Sequence, residues 1–156
     1  IEEAIKRGDK AIAITDTDST QAFFKINEYL KNKDFKVMYG TEMHFKDEHN
    51  IYTIYIYVKE QRGLKNLYKL MSKAYKNTIN ETPIVTKKNL IEHRDGLLFA
   101  AIGWNSEVYQ RLSSYMIDDV INFYDFIGIV PDIFDNSINI EINKLCKKHN
   151  KILIGN

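Results

Sequence analysis

Hydrophobic positions follow two patterns along the chain, short continuous runs and longer stretches in which apolar residues recur three or four positions apart. Continuous runs of this kind predict strands buried on both faces, and helical spacing predicts amphipathic helices. The predicted strands of this type are 11–15, 96–101 and 126–130, and the main predicted helices are 21–31, 63–75 and 138–149. Strands and helices that alternate in this way predict an α/β fold, with a parallel sheet or barrel inside and helices outside.

Two further strands are predicted at 37–45 and 51–58, and only Asp47–Asn50 separates them. So short a connection favours an antiparallel hairpin. Beyond the hairpin, the stretch that contains Pro83 is expected to be a polar loop, because proline cannot donate to a sheet ladder. The remaining elements are predicted helices at 87–93, 107–115 and 118–123, a stop at Pro131 and a last strand at 152–154.

The predicted helix over 63–75 has an apolar face and a row of lysines, Lys65, Lys69, Lys73 and Lys76. Such a row is usually a solvated face, and contact with phosphate groups is the alternative. The four histidines, His44, His49, His93 and His149, are not spaced as a metal pair, and we expect surface or structural roles for them.

Composition indicates one domain with a single core, since the chain has 156 residues, 44% of them hydrophobic. The net charge of +1 argues against a free-standing nucleic-acid binder, which usually carries a basic excess. A single cysteine, Cys146, excludes an internal disulfide and fits a reducing compartment. No apolar run approaches a membrane span and no signal sequence is visible, so a cytoplasmic location without a membrane partner is expected. The two ends suggest a piece of a longer protein.

Several segments in this order and spacing resemble the PHP (polymerase and histidinol phosphatase) domain of bacterial DNA polymerase III alpha chains. The segments are 11–16, 39–42, 63–75, 94–98, 124–126 and 152–156, and Gly-Leu-Lys-Asn-Leu-Tyr-Lys-Leu at 63–70 is the most specific. Gln21–Phe23 and Tyr124–Ile127 favour the PolC type, and the DnaE type stays open. The PolC type normally carries a proofreading exonuclease after the strand that ends near Asp47, and this chain has only a four-residue turn there. Either the chain is of the DnaE type, or the insertion is absent or was removed.

The resemblance implies a distorted (βα)7 TIM-like barrel of the PHP superfamily. Residues 1–156 are then one PHP domain and a fragment of a larger polymerase chain. The barrel in this fragment is expected to lack its first and last strand segments.

The resemblance also implies a metal cluster at the carboxyl ends of the strands. Its ligand positions fall on Thr17, Thr53 and Gly103, where hydroxyls and a hydrogen atom replace imidazole or thiolate donors. Asp16 and Glu42 remain as weak remnants, with ordinary roles as a helix cap and a hydrogen-bonding partner.

Other positions in the same region also differ from the family pattern. Gly128 and Val130 stand where the PolC type often has Glu and His. Trp104 is expected to fill the space that ligands and metal occupy in active relatives.

These losses favour a metal-free structural module that supports DNA replication within a polymerase and has no catalytic residues of its own. The alternative is a metal-dependent 3′–5′ exonuclease or a phosphoesterase similar to histidinol phosphatase. No tightly bound cofactor is expected, and Mg²⁺, Mn²⁺ or Zn²⁺ would bind only at an intact site. The implied partners are the rest of the polymerase chain, DNA through that chain, and replisome components.

Overall fold

The computed structural model describes residues 1–130 and 136–155. Helices and strands alternate along most of this length. In chain order the elements are α1 (Glu2–Lys6), β1 (Ala11–Thr17), α2 (Ala22–Leu30), β2 (Lys36–Lys46), β3 (Ile51–Val58), α3 (Gln61–Lys76), β4 (Thr78–Ile79), β5 (Thr82–Thr86), α4 (Lys87–Glu92), β6 (Leu97–Ile102), α5 (Glu107–Gln110), α6 (Ile117–Asn122), β7 (Phe126–Ile129), α7 (Ser137–Lys148) and β8 (Ile152–Gly155). None of the helices in these ranges is long and apolar enough to cross a membrane.

The strands form one mixed sheet in the order β4-β5-β2-β3-β6-β7-β8. Strand β3 is antiparallel to the long strand β2 along one of its edges. Along the other edge of β2, β1 is parallel to residues 36–42 and β5 is parallel to residues 44–46. Beyond β3, β6 is antiparallel to it, and β7 and β8 follow in parallel. This mixed α/β architecture is compatible with the predicted distorted TIM-like barrel.

The two faces of the sheet carry different hydrophobic cores because side chains alternate along each strand. Met43 and Phe45 belong to the larger core, which the helices cover and to which α3 contributes Leu67 and Leu70. A smaller cluster on the other face is built around Tyr57, Ala100 and Ile102. The intervening residues of β2, Glu42 and His44, share that second face by alternation, so the polar side chains of β2 lie beside this smaller cluster.

The prediction that Ala11–Thr15 is buried on both faces is wrong. No residue of β1 is buried, and its members are half-buried or exposed. Among the described residues β1 pairs only with β2, so one of its edges and much of its surface lack cover. The apolar run correctly predicted a strand but not its position in the sheet.

The predicted loop around Pro83 is a strand. Pro83 pairs with Thr78 in the short β4–β5 hairpin, while Ile84 and Val85 are buried and β5 pairs with β2. Proline is tolerated here because it occupies the second residue of the strand, ahead of the three residues that pair with β2. The helix predicted over 107–115 is also shorter, since α5 ends at Gln110 and turns follow.

The predicted β2–β3 hairpin is confirmed, with Lys46 opposite Ile51. Helix α3 is confirmed too, and it lies unusually close to the turn before β6. A Cβ atom at Gly63 would lie 1.9 Å from the carbonyl oxygen of Gly96, which has a φ of 74°. Only glycines allow this approach of two backbones. Pro131, which was predicted to stop β7, lies outside the described residues.

Candidate functional site

Asp16 and Glu42 lie on neighbouring strands but on opposite faces of the sheet. In the parallel register of β1 and β2, Asp16 is opposite Thr41, and Glu42 is opposite Thr17. Facing residues share a side and successive residues alternate, so the Asp16 side chain lies on the Thr41 side. Asp16 is exposed at the sheet edge and does not cap α2, whose N-cap is Gln21 without a side-chain hydrogen bond. The two remnant carboxylates are therefore not placed to share a metal ion.

Glu42 interacts with the aromatic side chain opposite it on β3. Tyr55 is the register partner of Glu42 in the antiparallel pairing of β2 and β3. Burial raises the pKa of Tyr55, and the hydrogen bond and charge of Glu42 raise it further. The tyrosine therefore stays protonated beside the Glu42 carboxylate.

Asp18 and His44 form a pair on the same side as Glu42, and sequence reasoning missed it. His44 Nδ1 lies 3.1 Å from Asp18 Oδ2, and Asp18 has a left-handed φ of 48°. The other carboxylate oxygen of Asp18 is buried and has no hydrogen-bond partner within the described ranges. Burial raises the pKa of Asp18, and His44 only partly offsets that effect. Asp18 is thus a carboxylate held in a partly desolvated position.

Two of the three positions at which the family's metal ligands are replaced, Thr17 and Thr53, lie on this same face. Thr17 is opposite Glu42, and Thr53 is opposite His44, so both share the face of these two residues. Gly103 follows β6 with a φ of 80°, a left-handed conformation that disfavours any residue with a Cβ atom. A metal-binding side chain would be strained at Gly103 even though the space around it is open, with only Val130 nearby at 3.7 Å.

The residues present do not fit a metal cluster. Over 1–130 and 136–155, no group of three or more His, Cys, Asp or Glu side chains is arranged to hold a metal ion. A hydroxyl is a weak donor beside imidazole or thiolate, so Thr17 and Thr53 do not restore the missing ligands.

Tyr109 of α5 forms hydrogen bonds with the backbone at the end of β7. The hydroxyl of Tyr109 donates to the carbonyl of Gly128 at 3.2 Å and accepts from the amide of Val130 at 3.1 Å. A Cβ atom at Gly128 would lie 2.7 Å from the side chain of Ile102, so a glutamate there would require repacking. The expectation that Trp104 fills the ligand space is wrong: Trp104 is 47% exposed and packs edge-on against Tyr109.

Comparison with known families and proteins extends these observations. The PHP domain family matches residues 1–145. The chain belongs to this family.

The curated relatives of this chain are DNA polymerase III chains of the PolC type. A PolC-type DNA polymerase III of Caldanaerobacter subterraneus subsp. tengcongensis is 31% identical over 125 residues, which cover 67% of this chain and 9% of the relative. The PolC-type enzymes of Streptococcus sanguinis and Thermotoga maritima are 37% and 35% identical over 79 and 80 residues, each covering 49% of this chain and 5% and 6% of the relative. The preference for the PolC type is confirmed. The PHP domain spans less than a tenth of these relatives.

A solved structure supports the fold. The crystal structure of a protein from Bifidobacterium adolescentis, described as a metal-dependent phosphoesterase, superposes with a TM-score of 0.64 at 14% identity. The match covers 99% of this PHP domain and 79% of the other chain. At this identity the likeness shows the fold alone.

A partly buried ion pair connects α5 of this PHP domain to the start of α4. Glu107 is only 2% exposed, and the Nζ atom of Lys87 lies 2.8 Å from each of its carboxylate oxygens. The Tyr124 hydroxyl donates to Glu107 at 3.1 Å, and Arg111 Nε lies 3.7 Å away. Burial and the charge of Glu107 raise the pKa of Tyr124 well above its usual value. The glutamate thus has several donors in place of water.

Arg111 extends this network to the β2–β3 hairpin. Its Nε donates to the Tyr52 hydroxyl at 2.8 Å, and its guanidinium pairs with Asp47. Burial alone would raise the pKa of Asp47, but the amides of Asn50 and His49 and the Arg111 charge lower it overall. Sequence reasoning missed this network because residues paired in it are up to 64 positions apart.

Proposed function

We propose that this PHP domain is part of a PolC-type DNA polymerase III alpha chain and acts there as a metal-free structural module. One observation carries the proposal: the face that holds Glu42 has hydroxyls at Thr17 and Thr53 where the family pattern has strong metal donors. The left-handed backbone at Gly103 would strain a third donor side chain at that position. Nucleotide addition then belongs to other parts of the parent chain.

The internal contacts support a structural role. The Lys87–Glu107 pair and the Arg111–Asp47 pair connect α4, α5 and the β2–β3 hairpin at the strand ends. These ion pairs are partly shielded from water, and loss of one partner would leave the other without compensation for its desolvation. A rigid end surface of this type suits a domain that packs against the rest of a polymerase chain.

The partners follow from the proposed parent. They are the rest of the polymerase chain, DNA through that chain, and replisome components, in the bacterial cytoplasm. The relatives' names support the polymerase context, and the matched length of under a tenth supports a domain within a longer chain.

A nuclease assay tests the proposal. The 156-residue chain is incubated with a 3′-labelled oligonucleotide and Mn²⁺, Zn²⁺ or Mg²⁺, beside a Glu42→Gln variant. We expect no nucleotide release above the metal-only background, and no difference between the two proteins. Release by the unmodified chain that Glu42→Gln abolishes would establish the exonuclease alternative and overturn the metal-free assignment.

A further inference from the structure

A groove lies along the outer side of α3, away from the Glu42 face. Its volume is about 690 Å³, and it is lined in part by Lys65, Tyr68, Lys69, Lys73 and His93. Residues four apart on a helix are about 6 Å apart along its axis and nearly in line, so the three lysines form a row of regularly spaced charges.

Little within the domain neutralises this row. Lys73 pairs with Glu92 at 3.1 Å, in a contact that is exposed on both sides. Neither Lys65 nor Lys69 has a hydrogen bond or ion pair with a described residue. Two unpaired cations beside a third that has only a solvent-exposed partner suit a ligand whose negative charges also repeat along a line.

A histidine at the groove provides a second, independent observation. The Nε2 atom of His93 is buried and has no hydrogen-bond partner in the described part of the chain. Burial lowers the pKa of His93, and the positive charges of Lys73 and Lys69 lower it further, with Glu92 opposing. A buried nitrogen without a partner is costly, and a negative charge in the groove would offset the lysine charges that disfavour protonation of His93.

Aromatic side chains continue the groove on its other side. Tyr68 also borders a neighbouring pocket of about 480 Å³, together with Phe24 of α2 and Tyr39 of β2. Phe24 is 74% exposed and Tyr68 is 45% exposed. Exposed rings beside a row of cations match the two requirements of single-stranded nucleic acid, stacking of bases and neutralisation of phosphates.

We propose that the α3 groove binds single-stranded nucleic acid, with Lys65, Lys69 and Lys73 on successive phosphates and with Tyr68 and Phe24 stacking on bases. The site is separate from the Glu42 face and does not depend on the metal-free assignment. With three lysines and a domain net charge of +1, binding is weak, salt-sensitive and independent of sequence. Such a surface would hold single-stranded nucleic acid in place without recognising its base sequence.

Fluorescence anisotropy with a 5′-labelled 12-nucleotide oligothymidylate tests the electrostatic part. We expect log affinity to fall with log salt at a slope of about −2, from roughly −0.7 for each of three lysines. The variant K65Q/K69Q/K73Q should lose at least about tenfold in affinity and most of the slope. The matched variant K10Q/K144Q/K147Q removes the same charge from exposed positions elsewhere and should bind within about twofold of the unmodified chain.

Two further variants test stacking. Tyr68→Leu should weaken binding at least about fivefold, because a stacked base is lost. Tyr115→Leu removes a 95% exposed ring on another part of the surface and should have no effect. Nuclear magnetic resonance should also show the pKa of His93 rising on addition of the oligothymidylate, an effect that distant binding would not produce.

Either of two results would overturn the proposal. The first is binding by K65Q/K69Q/K73Q that equals binding by the unmodified chain. The second is displacement of the probe by a 12-residue oligoglutamate at the same concentration as unlabelled oligothymidylate, which would make the groove a surface for acidic peptides. Unchanged melting curves of the variants ensure that lost binding reports on the groove and not on folding.

Discussion

The ammonium group of Lys87 lies 2.8 Å from both carboxylate oxygens of Glu107, a residue with 2% of its surface exposed. Replacing Lys87 with Met would leave a buried carboxylate with only Tyr124 and the more distant Arg111 as partners. Removing one member of a buried pair is strongly destabilising, and we expect Lys87→Met to cost about 3 kcal/mol in the free energy of unfolding. Urea denaturation followed by circular dichroism measures this loss.

The neighbouring Lys88 is a matched control for that variant, since it is exposed and adjacent in sequence. Lys88→Met should change the free energy of unfolding by no more than about 0.5 kcal/mol. Equal effects of the two substitutions would show that the buried pair contributes no special stability.

Gly63 tests the close approach of α3 to the turn before β6. Helix propensity alone predicts that Gly→Ala inside a helix stabilises by about 0.5–1 kcal/mol. Because the new Cβ atom would lie 1.9 Å from the Gly96 oxygen, we expect Gly63→Ala to destabilise by at least about 2 kcal/mol instead. Thermal denaturation gives the sign directly. Ser72→Ala, at an exposed position of the same helix, is the control and should be nearly neutral.

Asp18 predicts a pH-dependent stability difference. Its pKa is raised above the ordinary 3.8 because burial disfavours the charged form. An acid whose pKa is raised on folding costs stability once the pH exceeds its folded-state pKa, and costs nothing below its unfolded pKa. Asp18→Asn tolerates the left-handed φ and should therefore raise the melting temperature at pH 7.

That gain should shrink as the pH falls through the folded-state pKa of Asp18 towards the ordinary value of 3.8. Asp34→Asn, an exposed control, should leave the melting temperature unchanged throughout. A lower melting temperature for Asp18→Asn at pH 7 would mean that the His44 contact outweighs the burial cost.

Local patterns were sufficient to predict elements whose cause is local. The lysine and leucine spacing of α3 and the short connection of the β2–β3 hairpin depend on nearby residues, and both elements formed as predicted. Strand β5 was missed because Pro83 is a local signal against a strand, whereas its burial against β2 is a tertiary effect.

The candidate site was harder to predict because it depends on strand register. Whether Asp16 or Asp18 approaches Glu42 is decided by the pairing of β1 with β2 and by one left-handed residue, neither of which periodicity reveals. Trp104 was misplaced for a similar reason, since Gly103 turns the chain so that the indole packs on Tyr109 at the surface. The losses at Thr17 and Thr53, by contrast, are visible in the sequence itself.

Isothermal titration calorimetry with Mn²⁺ and Zn²⁺ tests the metal-free assignment most directly. A variant designed to restore metal binding shows that the assay would detect a site on this face. Thr17 and Thr53 share the face of Glu42 and His44, so T17H/T53H would place two imidazoles beside them. N32H/S113H adds the same number of histidines at exposed positions elsewhere. We expect no saturable site tighter than about 1 mM in the unmodified chain or in N32H/S113H, and a Zn²⁺ site at least about tenfold tighter in T17H/T53H. Tight binding of two or more metal ions by the unmodified chain would contradict the assignment.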